Sequence, residues 1–330
     1  MILIWLKFLG SSLILVIAAI KLAEYGDVIA VRTKIGGMFI GLILLAGATS
    51  LPELLTTINS ISIGEPDLAA GNMFGSNMVN MLLLGLIDLM SRNTRILRKA
   101  AHRHALTGAM AVFLIAISTF FIMANIDLRI GWVGVDSLII IAVYIFGIRI
   151  IQQSANPAQK AEELPIDPSF PTLKKGIFGF LLATGALILI MPHLVTSSQE
   201  IAIITGLGTG FIGTALLAVI TSLPELVTTI TAIKMGVYDM AIGNLFGSNM
   251  FNIFSLALSD FFMTDGRFLA SIDTDFVMVG LIGLIMTGLA LIGNLAKLER
   301  RLFFIEIDAF LLILLYFLGM YFVYFRGFGG

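Results

Sequence analysis

The sequence predicts an all-α integral membrane protein: ten transmembrane helices arranged as two inverted five-helix repeats. Three observations predict it. Hydrophobic residues make up 58% of the 330 positions and charged residues only 12%, with a mean hydropathy of +1.02, far from the balance of a soluble domain. Apolar runs of about 20 residues, each long enough to cross a hydrocarbon core of roughly 30 Å as a helix, recur along the chain. Finally, residues 46–80 return as 218–252, at an offset of 172 without a gap and with 22 of 35 residues identical.

Charged positions and Gly/Pro breaks punctuate the runs into helices at 2–23, 36–63, 67–90, 104–124, 131–152, 174–193, 203–235, 238–262, 275–296 and 305–325. The first run is too long for a secretory signal and lacks its cleavage pattern, so it reads as a retained helix. Between the fifth and sixth helices, QQSANPAQKAEELPIDPSFPT carries four prolines and no period. It marks a cytoplasmic linker, 153–173, between a first repeat at 1–152 and a second at 174–330. With the N-terminus outside, 16 of the 20 basic residues fall on the cytoplasmic side, where Arg92 to Arg103 form a topology anchor. The expected location is therefore the cell (inner) membrane, multi-pass, with both termini extracytoplasmic. Five spans per half is an odd number, so the second copy enters the membrane from the opposite side. Inverted repeats of this kind are a plan shared by many secondary transporters, whose sites lie near the midplane.

Chemistry concentrates in the duplicated blocks. In the second helix Ala46, Thr49, Ser50, Glu53 and Thr57 follow i, i+3, i+4, i+7 and i+11, one polar face on an apolar helix. Pro52 has no amide hydrogen and crowds the preceding turn, so carbonyls around Ala46 to Ala48 are expected to be loosened. Ala218, Thr221, Ser222, Glu225 and Thr229 repeat this face around Pro224. In the third and eighth helices, Asn72, Ser76 and Asn80, and again Asn244, Ser248 and Asn252, are spaced i, i+4, i+8. Intervening glycines let these faces press against the glutamate-bearing helices. Asp67 and Asp239 match as helix caps, Gly64 and Gly236 as helix-ending glycines, and Asp88 and Asp260 as solvated caps near span ends.

Hydroxyls and amides inside a bundle commonly do no more than hydrogen-bond neighbouring helices. Two matched glutamates are different, because an ionised side chain at a helix centre costs a few kcal/mol, roughly 2.5–3.5 for Asp, Lys or Arg on the insertion scale. No Lys, Arg or His lies at comparable depth, so a cation or protons must balance them. Carboxylate, hydroxyl, amide and carbonyl oxygens form a hard-oxygen set suited to Ca²⁺ or Na⁺. The absence of cysteine excludes disulfides and thiolate metal sites. No HExxH is present and only His193 approaches a span interior, which leaves an intramembrane enzyme unsupported. A net charge of −1 with no basic tail argues against nucleic acid as a partner.

The paired TSLPEL and GNxFGSNxxN blocks resemble the alpha repeats of the calcium/cation antiporter superfamily, most closely those of prokaryotic sodium/calcium exchangers. The resemblance implies an antiporter, not an enzyme, in which Na⁺ and Ca²⁺ are transported rather than held as cofactors and no obligatory protein partner is needed. It implies that Glu53 and Glu225 are the shared carboxylates. Thr49, Ser50, Thr221 and Ser222, with the carbonyls of Ala46 and Ala218, would complete the ion positions. Ser76 and Ser248 would add hydroxyls, and Asn80 and Asn252 would meet at the centre. It implies, too, that the first and sixth helices slide as a gating pair. Asn252 stands where some members carry Asp, so the site holds at most −2, which one Ca²⁺ or two Na⁺ would neutralise. That departure makes potassium dependence less expected. An H⁺/Ca²⁺ exchanger and a passive cation channel are the alternatives.

Overall fold

Apolar runs with no water to hydrogen-bond their backbones are driven into helices, and helices account for nearly all of the structure. The computed structural model describes residues 1–33, 45–90, 104–154, 170–236, 238–296, 301–302 and 305–326. The start of the expected second helix, the basic anchor and most of the expected linker lie outside these residues. We number the long helices α1 (Ile2–Thr33), α2 (45–62, continuous from Leu51–Ser62), α3 (Pro66–Met90), α4 (Ala105–Ala124) and α5 (Val135–Ser154). They continue as α6 (Leu173–Thr205), α7 (Thr209–Lys234), α8 (Tyr238–Leu258), α9 (Phe276–Ala296) and α10 (Ile307–Arg326).

Eight of the described helices are long and apolar enough to cross a membrane. The two others are α2, whose start lies outside the described residues, and α8, whose asparagines and serines lower its hydropathy. Most boundaries fall within a few residues of those expected from the sequence, but α1 and α6 run ten or more residues further. At 32 and 33 residues each spans close to 50 Å at about 1.5 Å per residue, well beyond the hydrocarbon thickness. Polar residues that read as loops instead sit on the extra turns. Glu24 pairs with Lys21 at 2.6 Å. The hydroxyls of Thr196, Ser197 and Ser198 are satisfied within α6 by donating back to the carbonyls of Pro192, His193 and Leu194 at 2.7–2.8 Å, and the helix runs on past its internal Pro192. The fifth helix starts later than expected, because Arg129–Ile130 and Val133–Gly134 form a small hairpin turned at Gly131, φ +68°.

α1 and α6 are antiparallel. Lys7 Nζ donates to Thr196 Oγ1 at 2.9 Å, while Tyr25 closes on Gly179 and Val28 on Gly176 further along the pair. Their packed residues, with Ala48, Leu68, Ile212 and Leu217, form a cluster of their own. The main core is separate and gathers residues of α3, α4, α5, α8, α9 and α10, with α3 buried on nearly every side.

α3 and α8 meet the broken helices backbone to backbone. A methyl on Gly75 would stand 2.8 Å from Ala218 Cβ, and one on Gly247 3.0 Å from Ala46 Cβ. These contacts are crossed: adding 172 to 75 and 46 gives 247 and 218. Only small residues permit such an approach, which brings the polar faces of the two blocks together.

At the end of α8, Asp260 accepts the Gly134 N–H at 2.7 Å and the Phe268 N–H at 2.5 Å. It is completely buried, and Asp88 is buried too, so the expectation of solvated caps is corrected. The expectation misread depth: a carboxylate satisfied by loop amides can terminate a span from inside. Beside it, Arg267 is buried against Asp136 at 3.0 Å.

Candidate functional site

α2 and α7 break at the same place. Ser50 and Ser222 have left helical geometry (φ −92°, ψ 7° and φ −86°, ψ 3°), and a new helix begins with Pro in its first turn. Pro suits that turn, where an amide hydrogen has no intrahelical acceptor. Glu53 and Glu225 follow in the first turn of the new segment, where the helix dipole favours negative charge. Gly64 and Gly236 close the segments with φ of +77° and +76°, as the sequence required. α7 also carries a π-helical stretch, Gly213–Leu217, immediately before Ala218. π turns insert an extra residue and occur frequently at functional sites.

The structure buries the side chains of the predicted set and hydrogen-bonds several of them across the two repeated blocks. Glu53, Glu225, Thr49, Ser50, Thr221, Ser222, Ser76, Ser248, Asn80 and Asn252 are all 0–1% exposed. The glutamates are held across the repeats. Ser50 Oγ donates to Glu225 Oε1 at 2.7 Å, and its counterpart Ser222 Oγ to Glu53 Oε1 at 3.4 Å. Glu225 Oε1 also accepts from Ser248 at 3.2 Å. Ser76 Oγ and Thr221 Oγ1 lie 3.4 Å apart, and Thr221 also reaches Asn72 Oδ1 at 3.1 Å. The second oxygen of each glutamate, Oε2, has no hydrogen-bond partner.

The asparagines show the same pattern. Asn80 Nδ2 donates to Asn249 Oδ1 at 3.0 Å, and Asn252 Nδ2 to Asn77 Oδ1 at 3.1 Å. This too is a crossed pair, since 77 and 80 map to 249 and 252. Both amide nitrogens are committed to protein, while Asn80 Oδ1 and Asn252 Oδ1 accept nothing. Among the predicted site residues, four buried acceptor oxygens, two carboxylate and two amide, are therefore left without a donor, as is Asn244 Oδ1 in the second block. Among the described residues no basic side chain comes within ion-pair distance of either carboxylate. Buried acceptors of this strength are costly unless something positive reaches them.

One expectation fails in detail. The carbonyls of Ala46 and Ala218 are not loosened: they accept the Ser50 and Ser222 N–H groups at 2.9 and 3.1 Å. Thr49 Oγ1 is 3.1 Å from Ala46 O, and Thr221 Oγ1 is 3.4 Å from Ala218 O. Pro52 and Pro224 withhold a donor four residues back, from positions 48 and 220, not from 46 and 218.

Asn77 and Asn249 were not singled out from sequence, although both lie in the repeated GSNMVN and GSNMFN strings. They fall one position off the i, i+4, i+8 face, which is why helical spacing passed over them. Thr287 of α9, 3.3 Å from Asn249 Nδ2, lies outside both blocks, and nothing in a single sequence marks it.

Comparison with known proteins places this geometry in context. A family described as sodium/calcium exchanger protein matches residues 3–151 and 175–325. A curated relative, the putative antiporter CaxA of Alkalimonas amylolytica, is 26% identical over 301 residues, covering 89% of this chain and 92% of that protein. Among solved structures, an H⁺/Ca²⁺ exchanger, CAX, superposes with a TM-score of 0.73 at 14% identity, covering 98% of this chain and 85% of the other. The sodium-calcium exchanger NCX_Mj superposes with a TM-score of 0.61 at 22% identity, covering 97% and 98%.

Proposed function

The chain belongs to the sodium/calcium exchanger protein family, and from that premise we propose that it is a secondary antiporter exchanging Na⁺ for Ca²⁺ across the membrane by alternating access. The observation that carries the reading is the set of four unpartnered oxygens, Glu53 Oε2, Glu225 Oε2, Asn80 Oδ1 and Asn252 Oδ1. They are hard donors, as are the hydroxyls of Thr49, Ser50, Ser76, Thr221, Ser222 and Ser248 around them, and hard oxygens suit Na⁺ and Ca²⁺. The carbonyls of Ala46 and Ala218 keep their bonds from the Ser50 and Ser222 N–H groups, and it is the second lone pair of each that would join the set.

Exchange follows from charge. Two carboxylates give −2, which one Ca²⁺ or two Na⁺ cancel, so the same pair cannot serve both ions at once and each displaces the other. The proposed frame is ten spans in two inverted halves, 1–152 and 174–330, joined by a cytoplasmic linker. It lies in the cell (inner) membrane with both termini outside. The separately packed α1–α6 pair is the mobile part, sliding over the core that holds the ions. Transported ions are substrates here, and no resident cofactor, nucleic acid or obligatory protein partner enters the scheme.

Equilibrium binding tests this. Ca²⁺ bound to purified protein should be displaced competitively by Na⁺, with a displacement curve steeper than one-for-one. Simultaneous, independent binding of both ions would sink it. A second reading, H⁺/Ca²⁺ exchange, draws support from the likeness to the H⁺/Ca²⁺ exchanger, because a proton on each carboxyl also removes the −2. Ca²⁺ displaced by acid but untouched by Na⁺ would favour it.

A further inference from the structure

Asn80 and Asn252 can present oxygen to an ion only while their amide nitrogens are engaged elsewhere. A flipped amide would aim two N–H donors at the cation instead. The partners that prevent this are Asn249 and Asn77, and the two are not held alike. Asn249 Nδ2 lies 3.3 Å from Thr287 Oγ1 and 3.4 Å from the Asn77 carbonyl. Thr287 gives its own hydroxyl proton to Gly283 O at 2.7 Å, so its lone pairs face Asn249. Asn77 Nδ2, the matching donor in the first half, has no partner. Subtracting 172 from 287 gives 115, and residue 115 is an isoleucine. Thr287 itself is 0% exposed on an otherwise apolar stretch of α9, outside both repeated blocks.

We infer that Thr287 is a positioning residue: acting through Asn249, it fixes the oxygen of Asn80 toward the ion and so sets Ca²⁺ affinity. This rests on the cation-binding reading of the core. The relay runs Gly283, Thr287, Asn249, Asn80, and it anchors one half of the cage, whereas Asn252 hangs from the unanchored Asn77. The two amide ligands are therefore unequal despite their symmetric sequence.

Three variants separate positioning from packing. T287V keeps the volume and removes the hydroxyl, T287A removes both, and T287S keeps the hydroxyl. Ca²⁺ half-saturation is measured by calorimetry on purified protein, and the ion-free thermal midpoint is measured beside it. If the hydroxyl matters, T287V and T287A weaken Ca²⁺ equally, by about three- to tenfold, the factor of one lost neutral hydrogen bond. T287S should stay within about twofold of wild type, since it keeps that bond. The thermal midpoint should instead follow volume, with T287A below T287V. T287V binding Ca²⁺ like wild type, or affinities that track the thermal midpoints, would overturn the inference. Wild-type protein that binds no Ca²⁺ would overturn the cation reading itself, a distinguishable result. If T287V does not fold, T287A and T287S still give opposite expectations.

Discussion

Replacing Glu53 by Gln removes one negative charge from the core and changes almost nothing else. Glu53 is fully buried, its Oε1 accepts one long bond from Ser222 at 3.4 Å, and its Oε2 accepts none, so on the proposed reading a bound cation supplies most of its compensation. Unit charges 4 Å apart attract by about 4 kcal/mol at an effective dielectric of roughly 20, and a dication loses about twice what a monocation loses. At 1.4 kcal/mol per tenfold, Na⁺ affinity should fall by about three powers of ten per affected ion and Ca²⁺ affinity by up to about six. The lower cost of burying a neutral amide is shared by the ion-free and ion-bound states, so it cancels from both affinities and the charge of the ion sets the contrast. The difference between the ions is thus the firmer quantity. Titrating purified E53Q with each cation should show Ca²⁺ binding lost more completely than Na⁺ binding. Equal losses, or a Ca²⁺ affinity within tenfold of wild type, would refute the electrostatic reasoning.

G75A should lower the thermal midpoint and slow transport, because its methyl would stand 2.8 Å from Ala218 Cβ; overpacking costs about 1–3 kcal/mol, readable by melting in detergent. D136N removes one of the two carboxylates beside buried Arg267, Asp136 at 3.0 Å and Asp127 at 3.3 Å, which should destabilise the fold by about 1.5–3 kcal/mol while Ca²⁺ affinity of the folded protein stays unchanged. Thr56 Oγ1 and Met191 Sδ lie 3.3 Å apart between α2 and α6, and the chain has no native cysteine. T56C/M191C oxidised onto a short bridging dithiol, which spans the gap left where the methionine sulfur lay two bonds beyond Cβ, should therefore stop transport and recover with reductant if α6 moves against the core. Undiminished flux in the oxidised form would show that it does not.

Much of this architecture is written in the sequence, and the gaps have physical causes. Apolar length gave the helices, and the repeat at 172 marked the two polar faces, while the cross-repeat pairs Ser50–Glu225 and Ser222–Glu53 emerge only in the structure. Helix ends at Gly64 and Gly236 were legible because a positive φ needs glycine. The extra turns of α1 and α6 were not, since hydropathy detects the part in lipid and not the part that projects beyond it. The π turn at Gly213–Leu217 has no composition signal. Asp260 was misjudged because sequence depth does not reveal which loop amides fold over a span end. Asn77, Asn249 and Thr287 act through side-chain contacts between helices, and helical spacing along one element cannot report them.

The central claim is tested most directly by flux. Proteoliposomes containing the purified protein and loaded with radiolabelled Ca²⁺ should release it when Na⁺ is added outside at constant pH, and E53Q vesicles should not. Release driven by an outward-facing acid pulse at zero Na⁺, and indifferent to Na⁺ itself, would contradict Na⁺/Ca²⁺ exchange.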